Sequence, residues 1–122
     1  MQRILVVDDN EDILEVIKLV LEDYGYEVLT LSDGLLLPGK INQYKPDLIL
    51  LDVMLGNTDG RELCKKIKSD PVTHGIPVIL VSAGHNLADR LKLSDSPDDF
   101  IAKPYDIHEL LDKIHTHICS AA

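Results

Sequence analysis

Three runs of four apolar residues, Ile4–Val7, Leu48–Leu51 and Val78–Val81, carry no polar residue at alternate positions. A strand with one face in water alternates, so an unbroken run of this length belongs to a strand covered on both faces. None of the runs approaches the length of a membrane span, and the first ends at Asp8-Asp9, too soon for a signal-peptide core. Weaker runs at Tyr26–Leu31 and Phe100-Ile101-Ala102 complete the set of strand candidates.

Helical spacings fill the gaps. Ile13, Val16, Ile17, Val20 and Leu21 recur at intervals of three and four, and Gly25 after Tyr24 supplies a stop. Ile107, Leu110, Leu111, Ile114 and Ile118 form a second stripe, opened by Asp106 as N-cap. Gly60–Lys68 turns Leu63, Cys64 and Ile67 inward, with Asp59 as an N-terminal residue and Lys65, Lys66 and Lys68 on or near a solvated face. A shorter helix is expected over Asn86–Leu93. Within Leu35–Tyr44, Pro38 discourages helix at Leu37 and Gly39 weakens the next turn, so a short or late-starting helix is expected there. Strand and helix then alternate along the chain, which predicts an α/β fold: an open five-stranded parallel sheet with helices on both faces.

The 122 residues suit one domain, with neither repeat nor linker. Twelve basic against twenty-one acidic residues leave a formal charge of −9, which argues against direct binding to nucleic acid or an anionic membrane. Cys64 and Cys119 form no metal-ligand spacing, and a reduced, cytoplasmic protein is expected. The five histidines make no metal motif and read as surface residues, with His85 near Ser82 in sequence.

In such sheets ligands bind beyond the carboxyl ends of the strands. The residues found there are Asp8 and Asp9, then Asp52, Ser82 and Lys103. Three carboxylates a few ångströms apart repel by about 1 kcal/mol per pair or more, a cost that a hard divalent cation such as Mg²⁺ relieves. A carboxylate beside a cation can attack phosphorus, while a hydroxyl and an ammonium hold phosphoryl oxygens. Each residue alone has an ordinary role, as turn, cap or solvated charge. Their joint position points to phosphoryl chemistry on an aspartate.

The segments Val6-Val7-Asp8-Asp9-Asn10-Glu11-Asp12, Pro46–Leu55, Asp59-Gly60, Pro77–Ala83 and Asp99-Phe100-Ile101-Ala102-Lys103-Pro104 together resemble the receiver domain of two-component response regulators, chemotaxis regulators included. The resemblance spans essentially the whole chain, residues 1–122. It implies the flavodoxin-like strand order 2-1-3-4-5. It further implies that Asp52 accepts a phosphoryl group from a sensor histidine kinase or phosphotransfer protein. Asp8, Asp9, Asp52 and the Met54 carbonyl would hold Mg²⁺, and Ser82 and Lys103 the phosphoryl oxygens. Ser82 and the aromatic Phe100 would switch the surface made by the fourth helix, fifth strand and fifth helix. The implied protein is a signalling domain that catalyses only its own phosphorylation and dephosphorylation.

Departures from the family pattern give further expectations. Gly56 and Thr58 replace a usual proline and methionine, which predicts a looser loop after Asp52. Ser96-Pro97 stands where Gly-Ala is usual, in a shortened connection before the fifth strand. Gly84 leaves the phosphorus unshielded, so a long-lived phosphorylated state is not expected. Two other readings compete. An aspartyl-nucleophile phosphatase of the haloacid dehalogenase type needs a second Asp two residues after the nucleophile, and Met54 stands there. A phosphate-insensitive interaction module would have lost an acidic residue or the acceptor, and all are present. No DNA-binding segment is expected within these 122 residues, so output is expected through an unknown partner or a domain outside them, with dimerisation open.

Overall fold

The computed structural model describes residues 2–56, 58–82, 98–103 and 106–121. Strand β1 (Arg3–Val7) leads to helix α1 (Glu11–Asp23), strand β2 (Glu27–Leu31), a 3₁₀ turn at Gly34–Leu36, helix α2 (Leu37–Tyr44) and strand β3 (Leu48–Asp52). Next come two short strands, β4 (Met54–Leu55) and β5 (Thr58–Asp59), then helix α3 (Gly60–Ser69), strands β6 (Val78–Ser82) and β7 (Asp99–Ala102), and helix α4 (Ile107–Ala121).

The main sheet is parallel, in the order β2-β1-β3-β6-β7, which is 2-1-3-4-5 when only its own strands are counted. Both faces of the central strands are apolar. Ile4, Val6, Leu48, Leu50, Ile79 and Val81 pack with α1 and α4 on one side. Leu5, Val7, Ile49, Leu51, Val78 and Leu80 pack with α2 and α3 on the other. Because side chains alternate along a strand, a run that must feed two cores has no position left for a polar residue. That is why the three unbroken runs became the three central strands.

The helix ends follow local chemistry. The Asn10 side chain caps α1 by accepting from the Asp12 and Ile13 amides. At the other end the Gly25 amide bonds the Glu22 carbonyl and the Tyr26 amide the Leu21 carbonyl, a Schellman closure that sets Gly25 at φ +94. Asp59 caps α3 and Asp106 bonds the His108 amide at the start of α4. Pro38 falls in the first turn of α2, where no intrahelical N–H is needed, so the helix includes Leu37 rather than avoiding it.

Several expectations are corrected. In α1 the buried stripe is Leu14, Ile17 and Leu21, whereas Val16 is exposed. Lys68 is not solvated: its ammonium donates to the Ile76 carbonyl and pairs with Asp98 at 2.7 Å, tying α3 to the start of β6 and β7. His117 sits 3.0 Å from Asp99 across α4 and β7, beside Lys113 on the same carboxylate. The segment after Asp52 is not loose. Met54 pairs with Asp59 and Leu55 with Thr58 in a small antiparallel ladder, and the buried Leu55 side chain anchors it. The helix expected over Asn86–Leu93, and Gly84, His85 and Ser96-Pro97, lie outside the described residues.

Candidate functional site

Register brings the polar residues together. Val7 pairs with Leu51, so Asp8 and Asp52 stand at the same level one step beyond. Asp52 pairs with Val81 and Ser82 with Ala102, which sets Ser82 one step farther and Lys103 another. Strand alternation gives Asp8, Asp52 and Lys103 the parity of Val6, Leu50 and Ile101, while Ser82 and Phe100 have the opposite parity.

Carboxylate oxygens of Asp8, Asp9 and Asp52 lie within 4.8 Å of one another. Asp8 and Asp52 are each 5% exposed, and Asp9 is on the surface. The Lys103 ammonium is 2.9 Å from Asp52 Oδ2 and 3.4 Å from Asp8 Oδ2. Backbone amides complete the cradle: Asn10 donates to Asp8 Oδ1 and Met54 to Asp52 Oδ1. The Lys103 amide donates to the Ser82 carbonyl, which couples the last two strand ends.

Electrostatics follow from this crowding. Burial pushes the Asp8 carboxyl above its ordinary range; the Asn10 amide opposes this, the Asp52 charge adds to it, and Lys103 pulls it back. Burial pulls the Lys103 ammonium down, but the hydrogen bond and charge of Asp52, with the Asp8 charge, hold it above its ordinary value. The site is thus a buried acidic pair bridged by one cation. The third carboxylate stands at the rim, a hard-oxygen donor set suited to Mg²⁺.

Of the other expected residues, Ser82 is nearly buried at the end of β6. Met54 projects its side chain into solvent at 73% exposure, so only its backbone faces Asp52. Phe100 is 38% exposed on β7, level with Leu80 and two residues before the Ser82 level.

Two residues were given no site role by the sequence reading. Gly60 is packed so tightly that a Cβ there would lie 2.0 Å from the Asp52 carbonyl oxygen. Its amide also bonds the Val53 carbonyl, so α3 begins directly against the acidic strand end. The second is Arg61, which forks onto Asp59 through Nε at 3.3 Å and Nη2 at 3.0 Å. That pairing holds the Asp59 carboxyl below its ordinary range. Arg61, Asp59, Ser82, Gly56, Met54 and Asp9 line one open groove. The Asp59-Gly60 pair was visible as a motif, but no signal in one sequence reports a backbone approach or a shared groove.

Residues 4–115 match the family model described as the response regulator receiver domain. The DNA-binding dual master transcriptional regulator RpaA of Synechocystis is 36% identical over 93% of this chain and 48% of its own length. Among solved structures, the signal receiver domain of a Syntrophus aciditrophicus histidine kinase superposes with a TM-score of 0.90, at 30% identity, over 98% of this chain and 92% of that one. The receiver domain of the Pseudomonas aeruginosa sensor histidine kinase PA1611, with magnesium in its active-site cleft, gives 0.85 at 29% identity, over 96% and 97%. The chain spans about half the length of the first curated relatives it matches.

These relatives correct one expectation, the absence of direct nucleic-acid binding. It rested on the net charge, yet RpaA is a DNA-binding regulator and this chain matches only half of it. Contact with phosphates is made by a local basic surface, so an acidic half does not exclude it for a longer protein. Among the described residues no helix is long and apolar enough to cross a membrane. Parallel sheet, acidic cluster and bridging lysine agree with the sequence match over 4–115, and the chain belongs to the response regulator receiver domain family.

Proposed function

We propose that Asp52 accepts a phosphoryl group from a phosphohistidine on a sensor histidine kinase or phosphotransfer protein. The observation that carries the reading is the Lys103 ammonium bridging Asp52 and Asp8, with Asp9 closing the acidic cluster. A carboxylate oxygen of Asp52 bonds to phosphorus as the bond to the donor nitrogen breaks, and the imidazole keeps the electron pair. The Met54 amide on Oδ1 and Lys103 on Oδ2 orient that carboxylate. Lys103 and Ser82 then hold phosphoryl oxygens by charge and hydrogen bond.

Asp8, Asp9 and Asp52 would hold Mg²⁺, with the Met54 carbonyl as a further ligand; the magnesium in the PA1611 receiver supports that choice. When bound, Mg²⁺ neutralises charge on the transferring group. Ser82 and Phe100 share one strand parity on neighbouring strands, so a movement of Ser82 on phosphorylation would be relayed to β7 through Phe100. In this reading residues 1–122 act as one cytoplasmic receiver that catalyses only reactions of its own acceptor. The name of RpaA supports a transcriptional output.

Intact mass after incubation with Mg²⁺ and acetyl phosphate tests the acceptor. One added phosphoryl group in the wild type is expected, lost in Asp52→Asn and blocked by a chelator. A group retained in Asp52→Asn would refute the assignment.

A further inference from the structure

We propose that Arg61 selects among phosphodonors by stabilising an anionic leaving group in the groove beside Asp52, an inference that rests on the phosphoacceptor reading. The groove is lined by Asp9, Met54, Gly56, Asp59, Arg61 and Ser82, among others. It therefore joins the rim of the acidic cluster to a guanidinium. Gly56 lines the groove without a side chain of its own, and a Cβ there would make only an ordinary contact with Asp9 Oδ2 at 3.7 Å. Ser82 lines this groove as well, so the groove reaches the phosphoryl-holding end of β6. Arg61 is positioned rather than loose. Gly60 pins the first turn of α3 against the Asp52 carbonyl, and Asp59 clamps the guanidinium at 3.0 Å, leaving its side chain 31% exposed.

The charge bookkeeping gives the role. Lys103 already bridges Asp52 and Asp8, so it is committed to the acceptor side. Among the described groove-lining residues Arg61 is the one cation, set beside the carboxylates of Asp9 and Asp59. With acetyl phosphate, the Asp52 oxygen bonds to phosphorus, the bond from phosphorus to the acetyl oxygen breaks, and acetate leaves with the electron pair. Negative charge therefore grows on the departing group. With phosphoramidate, whose nitrogen is protonated, the nitrogen–phosphorus bond breaks and neutral ammonia leaves. A guanidinium in the groove helps the first donor and not the second.

The test compares rates of Asp52 phosphorylation by the two donors, at fixed Mg²⁺, for the wild type, Arg61→Gln, Arg61→Lys, Asp59→Asn and Lys65→Gln. Arg61→Gln is expected to slow acetyl phosphate by about three- to tenfold, less than loss of a fully buried oxyanion donor, because this guanidinium is partly solvated. Its rate with phosphoramidate should stay near wild type, which also shows that the variant folds. Arg61→Lys should recover part of the loss. Asp59→Asn keeps a capping side chain but removes the paired negative charge, and should raise the acetyl phosphate rate. Lys65→Gln, exposed on the same helix, should change neither. Equal slowing with both donors, or none, overturns the role of Arg61 while leaving Asp52 as acceptor. A wild type phosphorylated by neither donor overturns both.

Discussion

Replacing Gly60 by alanine sets two opposed effects against each other, and the geometry decides the sign. In most helices the change is favourable, by up to about 1 kcal/mol. Here the added Cβ would lie 2.0 Å from the Asp52 carbonyl oxygen and 2.8 Å from two further backbone carbons. A carbon and a carbonyl oxygen in contact sit about 3.3 Å apart, so one backbone must retreat by about 1.3 Å. The three nearest atoms all belong to the main chain of residues 52 and 53, so no side-chain rotation relieves them. Overpacking of this kind costs about 1–3 kcal/mol, and backbone opposition puts the case at the upper end. Subtracting the propensity gain leaves a net loss of about 2 kcal/mol, a fall in Tm of about 8 °C for a chain of this size. Gly39, inside α2 with nothing within 4 Å, is the matched control. Gly39→Ala should stabilise by about 0.5 kcal/mol. Thermal and urea unfolding followed by circular dichroism would read both. A Gly60→Ala protein as stable as Gly39→Ala would refute the claim that α3 is wedged against the acceptor strand.

Three further outcomes follow from the structure. Lys45 holds φ at 55 between α2 and β3, a conformation that strains a side chain, so Lys45→Gly should raise stability by about 0.5–1 kcal/mol in urea titrations. Burial raises Asp8 above its ordinary 3.8, so the folded protein binds this proton more readily than the unfolded one. The Asp8 charge therefore costs stability above the raised value, and the cost fades as pH falls towards 3.8. Asp8→Asn should melt higher than wild type near neutrality in chelator, with the gap closing on acidification; a constant gap would contradict the linkage. Lys103 occupies the same oxygens that a divalent ion would need, at 2.9 and 3.4 Å. Lys103→Met should thus tighten Mg²⁺ binding in calorimetric titrations while Asp52→Asn weakens it, and shifts in the same direction would argue against a shared site.

What the sequence by itself determined is the set of elements whose cause is local or periodic. Ile4–Val7, Leu48–Leu51 and Val78–Val81 read as strands covered twice, and Gly25, Asp59 and Asp106 mark helix ends through their own side chains or lack of one, whereas the Asn10 cap of α1 emerged only in the structure. The candidates at the strand ends were legible for the same reason, because a parallel sheet delivers its carboxyl ends to one edge. Which strands are neighbours was not legible from periodicity, and the order 2-1-3-4-5 came from the family resemblance. Contacts between elements were decided only in three dimensions. Lys68 is half-buried on Asp98 and His117 on Asp99, although both looked solvated along their own helices. The segment after Asp52 is a paired hairpin because Leu55 is buried beneath it, not because of its turn residues alone. Gly60 and Arg61 show the limit most plainly. A backbone clash at 2.0 Å and a groove shared with Ser82 depend on how α3 docks on β3, and docking is set by the whole core rather than by any short stretch of chain.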